Sequence, residues 1–68
     1  MKEGTKVRWS WGKGHAGGKV AKTYERKVTR KLDGAEVTRN GSKDDPALYI
    51  EQEDGTGVLK LASEVDRA

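Results

Sequence analysis

Three glycines and two lysines near the start of the chain have the spacing of a phosphate cradle. Gly12, Gly14 and Gly17 fall on G-x-G-x-x-G, with Lys13 inside the run and Lys19 just beyond it. Such a run holds phosphate when it opens a helix, whose free N–H groups and dipole face the anion. Here Gly17-Gly18 leads into Lys19-Val20 and a β-prone segment, and 68 residues of this pattern leave no strand–helix–strand unit. The P-loop spacing fails as well, because Lys13 stands where its first glycine belongs and Val20 where its Ser or Thr belongs. A flexible glycine loop, with close approach of backbone to backbone, is the expectation. Other catalytic candidates are thin. His15 is the sole histidine and there is no cysteine, so no metal set stands at ligand spacing. Asp44 and Asp45 are neighbours in extended chain, where adjacent side chains point apart, and Pro46 favours a turn. No nucleophile can be joined to a base and an orienting group. The chain reads as a non-enzyme that needs no cofactor.

Binding chemistry is better supplied. The aromatic residues are Trp9, Trp11, Tyr24 and Tyr49. Together they could cage a methylated cation, support a proline-rich peptide or stack on bases. Trp9 shares strand parity with Val7 and is expected to be half core, whereas Trp11 and Tyr49 are expected at the surface. A second set is basic: Lys13, Lys19, Lys22, Arg26, Lys27, Arg30, Lys31 and Arg39. Interleaved with the aromatics, these cations suit a phosphate backbone. Two ligands are therefore in contention, a protein or peptide at the aromatics and a nucleic acid at the cations.

Strands must position both sets. Thr5 to Trp9 alternates polar and apolar, with Val7 and Trp9 on one face and Lys6 and Arg8 on the other. The following glycines end that strand, and a second begins at Lys19, running through Tyr24 and bending as far as Leu32. In "VTRKLDGAEVTR" the Asp33-Gly34 pair marks a two-residue hairpin turn. Pairing outward sets Leu32 against Ala35, Lys31 against Glu36, Arg30 against Val37 and Thr29 against Thr38, with Val28, Leu32, Ala35 and Val37 facing the core. Asn40-Gly41-Ser42 breaks the strand, and a new one starts after Pro46. There Leu48 and Ile50 share one face, Tyr49 and Glu51 the other. A turn over residues 54–57 precedes "VLKL", with Leu59 and Leu61 inward. "ASEVDRA" forms one helical turn, with Ser63 as its cap and Val65 tucked onto the barrel end.

The pattern gives an all-β fold: a small five-stranded SH3-like barrel with a single helical turn near the C-terminus, an OB-type barrel being the alternative. Residues 1–68 make one domain with a thin core, burying about 60% of the surface that the unfolded chain exposes. No apolar run approaches membrane-spanning length, and Met1-Lys2-Glu3-Gly4 precedes no signal-peptide core, so the expected place is the cytoplasm without membrane contact. Residues 1–43 hold twelve Lys/Arg against four Asp/Glu, and residues 44–68 hold two against seven. That split suits a nucleic-acid-facing surface, or a basic hairpin neutralised by acidic strands of the same fold. The chain is expected to be a monomer or weak dimer.

"GTKVRWSWGKGHAGGKV", "KVTRKLDGAEVTRNGS" and "DDPALYIEQEDGTGVLKLASEV" together resemble the hypervirulence-associated protein Tudor domain family, small bacterial and fungal proteins. The resemblance spans nearly the whole chain. It implies a Tudor/SH3-like barrel and brings no catalytic residues. Because Tudor-type folds often bind methylated lysine or arginine in aromatic cages, it also implies a ligand site at Trp9, Trp11, Tyr24 and Tyr49.

Overall fold

A computed structural model describes residues 2–32 and 34–68, with Trp11 described by its backbone alone. The first strand, β1 (Lys6–Trp11), buries Val7 and Trp9 and leaves Lys6, Arg8 and Ser10 exposed, as its alternation requires. It continues two residues past the expected end at Trp9. Gly12 then adopts φ +53°, a conformation that disfavours a Cβ, and a two-residue turn leads straight into β2 (Gly14–Tyr24).

From Gly14 onward the glycine run is thus strand, in correction of the expected loop. Trp11 pairs with Gly14, Arg8 with Gly17 and Val7 with Gly18. Packing explains why glycine tolerates a strand here. A Cβ on Gly18 would meet the Glu51 carbonyl and come within 2.9 Å of Ile50 Cγ2, so β2 lies tight against its neighbour only without one. The expected close backbone approach is present at this position.

A register shift between Val20 and Lys22 and a bend at Glu25-Arg26 divide the long bent strand expected from Lys19 to Leu32. β2 stays in the large sheet, and β3 (Lys27–Leu32) pairs with β4 (Ala35–Asn40) as a separate two-stranded ribbon. The ribbon has the expected register, Leu32 with Ala35 through Thr29 with Thr38. The Thr29 and Thr38 hydroxyls are 2.8 Å apart and hydrogen-bonded. Gly34 has φ +82°; Asp33, the other half of the expected turn, lies outside the described residues. Val28, Leu32 and Val37 are half-buried, but Ala35, expected inward, is exposed at the tip.

β5 (Ala47–Glu51) begins directly after Pro46 and β6 (Gly57–Leu61) follows the turn. A 3₁₀ turn spans Ala62–Glu64, and β7 (Asp66–Arg67) pairs with β1. Ser63 does not cap that turn: Leu61 holds the cap position, its N–H donating 2.7 Å to Glu64 Oε1. The fold is all-β, with seven strands among the described residues where five were expected. The large sheet runs β6-β5-β2-β1-β7, and no ladder among the described residues closes it.

Val7, Trp9, Val20, Leu48, Ile50 and Val65 form the core, with Ala16, Val58 and Ala62 against it. Ala47 and Leu59 are also buried, outside that cluster and on the side of β5–β6 that the ribbon covers. β5 is therefore buried on both faces, which is why Ala47, Leu48 and Ile50 are all inaccessible.

Candidate binding surface

The aromatic residues do not share one place. Trp9 is 6% exposed, part of the core, with the Lys60 ammonium 5.9 Å from its ring centre. Trp11 ends β1, and its side chain lies outside the description. Tyr24 and Tyr49 do come together, around a cation of the chain itself. The Arg30 guanidinium lies 4.2 Å over the Tyr49 ring centre, and its Nη1 donates to the Tyr24 hydroxyl at 3.2 Å. Arg26 stands 5.5 Å from the Tyr24 ring centre. These contacts set a cation of the chain itself over one face of each ring.

The cations divide by strand parity. In β3 and β4 the paired residues Lys27–Asn40, Thr29–Thr38 and Lys31–Glu36 share one face, and all six are exposed. The other face carries Val28, Arg30, Leu32, Val37 and Arg39, turned to the large sheet and half-buried. Arg39 Nε donates 3.0 Å to Glu64 Oε1, the one ion pair among the described residues, and its Nη1 donates 2.9 Å to the Thr38 carbonyl. Partial burial pushes the Glu64 carboxyl up, but the Leu61 N–H, the Arg39 guanidinium and the Lys60 charge outweigh it and hold the group below its ordinary range. Two arginines counted among the phosphate-facing cations thus fasten the ribbon instead.

Lys13 occupies the β1–β2 turn, Lys19 and Lys22 stand on β2, and Arg26 sits in the bend before β3; all are exposed. With Lys27 and Lys31 they lie outside any ion pair among the described residues. Lys6 and Arg8, which share the exposed face of β1, were missed as candidates, although their parity was readable. They flank a shallow furrow of about 940 Å³ over Gly17, whose far wall is Glu51, Glu53 and Asp54. That furrow is balanced in charge, whereas the outward ribbon face carries Lys27 and Lys31 against Glu36, and the bend before it Arg26 beside Glu25, a small basic excess.

His15 is exposed on β2, and no group of three or more His, Cys, Asp or Glu among the described residues could hold a metal ion. Asp45 serves the fold: its two carboxylate oxygens accept from Ser63 N–H at 2.8 Å and Ser63 Oγ at 2.7 Å. No helix among the described residues is long and apolar enough to cross a membrane.

A family model described as hypervirulence associated proteins TUDOR domain matches residues 4–65, so the chain belongs to that family. Neither a curated protein nor a solved structure matches it.

Proposed function

We propose that this Tudor-family chain is a small non-enzymatic binding module, an SH3-like and partly open barrel, whose ligand is nucleic acid held through its phosphates. One observation carries the reading. Lys13, Lys19, Lys22, Arg26, Lys27 and Lys31 are exposed and form no ion pair among the described residues, where Arg39 with Glu64 is the one pair that joins the basic half to the acidic half. Exposed lysines release condensed counterions when they meet phosphate, and that release drives association. The module acts alone or as a weak dimer in the cytoplasm, without a cofactor.

The test is binding to a labelled DNA duplex across a salt series. With all six cations engaged, log K falls against log salt with a slope of about −5, at roughly −0.9 per phosphate. A flat response, or no binding at low salt, rejects the reading.

A second reading, capture of a protein or peptide near Trp9 and Trp11 with Tyr24 and Tyr49, is favoured by a different feature. β7 pairs only with Val7 and Arg8, so the outer edge of β1 from Trp9 to Trp11 has no ladder partner among the described residues. An extended peptide could add there. On that reading Trp11→Ala abolishes capture with the fold intact, and unchanged capture removes it.

A further inference from the structure

The geometry points to the β3–β4 ribbon as a groove reader: its outward face enters the major groove of a B-form DNA duplex. This rests on the nucleic-acid reading above and names the form of nucleic acid and the element that meets it. Two antiparallel strands of six residues each form a sheet of their own, joined by no ladder to the larger one among the described residues. At about 3.3 Å per residue and about 4.8 Å between strands, such a ribbon is about 20 Å long and narrow. The B-DNA major groove, about 12 Å wide, admits a two-stranded ribbon.

The chemistry of the outward face matches that groove. Lys27, Thr29, Lys31, Glu36, Thr38 and Asn40 are all exposed, and every one can donate or accept a hydrogen bond. Asparagine, threonine and glutamate, here Asn40, Thr29, Thr38 and Glu36, are side chains that read base edges in the major groove. Lys27 and Lys31 on that face, and Arg26 in the bend that leads into β3, supply exposed cations for phosphates of the groove walls. Among the described residues 22–43 the exposed charges are Lys22, Arg26, Lys27, Lys31 and Lys43 against Glu25 and Glu36, an excess that complements the duplex charge. The inward face keeps the ribbon ordered before any ligand arrives, through Arg30 on Tyr49 and Arg39 on Glu64.

Three probes of equal length separate the outcomes: a DNA duplex, an RNA duplex of the same sequence and a single DNA strand, each followed by fluorescence anisotropy. The A-form major groove is too deep and narrow for side chains. The wild type is therefore expected to bind the DNA duplex at least tenfold more tightly than the RNA duplex. Lys27→Gln with Lys31→Gln should make the salt slope shallower by about 2, at roughly 0.9 per lost contact. Thr29→Val with Thr38→Val should weaken DNA binding with the slope unchanged. All four positions are exposed, and unchanged melting of the variants confirms the fold. Equal affinity for both duplexes, tighter binding of the single strand, or an unaltered slope in the double lysine variant overturns the ribbon and leaves nucleic-acid binding standing. Failure of the wild type to bind any probe overturns both.

Discussion

Replacing Arg30 by alanine should unfasten the ribbon from the large sheet. The substitution removes a guanidinium 4.2 Å above the Tyr49 ring centre and a hydrogen bond of 3.2 Å to the Tyr24 hydroxyl. A partly desolvated cation–π contact is worth about 1 kcal/mol, and a hydrogen bond from a charged donor about 1.5 kcal/mol. The expected loss is about 2–3 kcal/mol, a large part of what so small a domain has. At about 4–8 °C per kcal/mol, the melting temperature should fall by about 10–20 °C. The loss should also be local first, because no residue of β3 or β4 belongs to the fully buried set. Thermal denaturation followed by circular dichroism measures the total. Hydrogen exchange at the amides of β3 and β4 shows whether the ribbon opens ahead of the rest. Arg30→Lys keeps the charge and the stem but not the planar fork, so it should recover about half of the loss. Tyr24→Phe, which removes only the acceptor, should cost about 1 kcal/mol. A melting temperature for Arg30→Ala within about 2 °C of wild type would refute the reasoning, since the contact would then contribute less than its weakest element.

Three further outcomes follow from the packing. The Glu64 carboxyl is held below its ordinary range in the folded chain, so the unfolded chain binds that proton first; its stabilisation is complete above the ordinary carboxylate range and is lost as pH falls through the folded-state value. The difference in melting temperature between wild type and Glu64→Gln should therefore shrink between about pH 6 and about pH 3, and a constant difference counts against the clasp. Gly18→Ala drives a methyl into the Glu51 carbonyl and Ile50 Cγ2, a cost of about 1–3 kcal/mol read by urea denaturation; a neutral result would mean that β2 and β5 separate freely. Asp45→Ala deprives Ser63 of both its bonds and should lower stability by about 1–2 kcal/mol, leaving the β3–β4 amides protected. Loss of protection throughout the ribbon would show that its anchorage runs through the loop before β5 instead of through Arg30.

The ribbon was legible because its information is local. A two-residue turn fixes the register of the strands beside it, so Thr29 meets Thr38 without reference to the rest of the chain. The glycine run was illegible for the opposite reason. Gly14, Gly17 and Gly18 have low strand preference, and what holds them in β2 is the proximity of β1 and β5, with Glu51 thirty-three positions beyond Gly18. β7 is only two residues long, and its pairing with Val7 and Arg8 joins the two ends of the described chain. No local pattern announces it. Parity places Trp9 with Val7, and the core takes it in more fully than the half-core position expected. Tyr49, expected at the surface by the same parity, is half-buried, because Arg30 from another strand covers its ring.

The division of cations within the ribbon bears on what the outward face is for. Both inward cations of β3 and β4, Arg30 and Arg39, are arginines; both outward ones, Lys27 and Lys31, are lysines. A guanidinium is planar and weakly hydrated, which suits it to lie on a tyrosine ring or to brace a carboxylate in partly dry surroundings. An ammonium is compact and strongly hydrated, and it loses stability when buried. Exchanging the types should therefore be asymmetric. Lys27→Arg should leave the fold unchanged, because an exposed arginine has the same freedom as the lysine it replaces. Arg39→Lys should weaken the clasp, because lysine cannot reach Glu64 Oε1 and the Thr38 carbonyl with one fixed fork. Melting curves of the two variants measured side by side decide the matter: equal losses would mean that the ribbon treats its faces alike, and that its outward lysines are not set apart for a ligand.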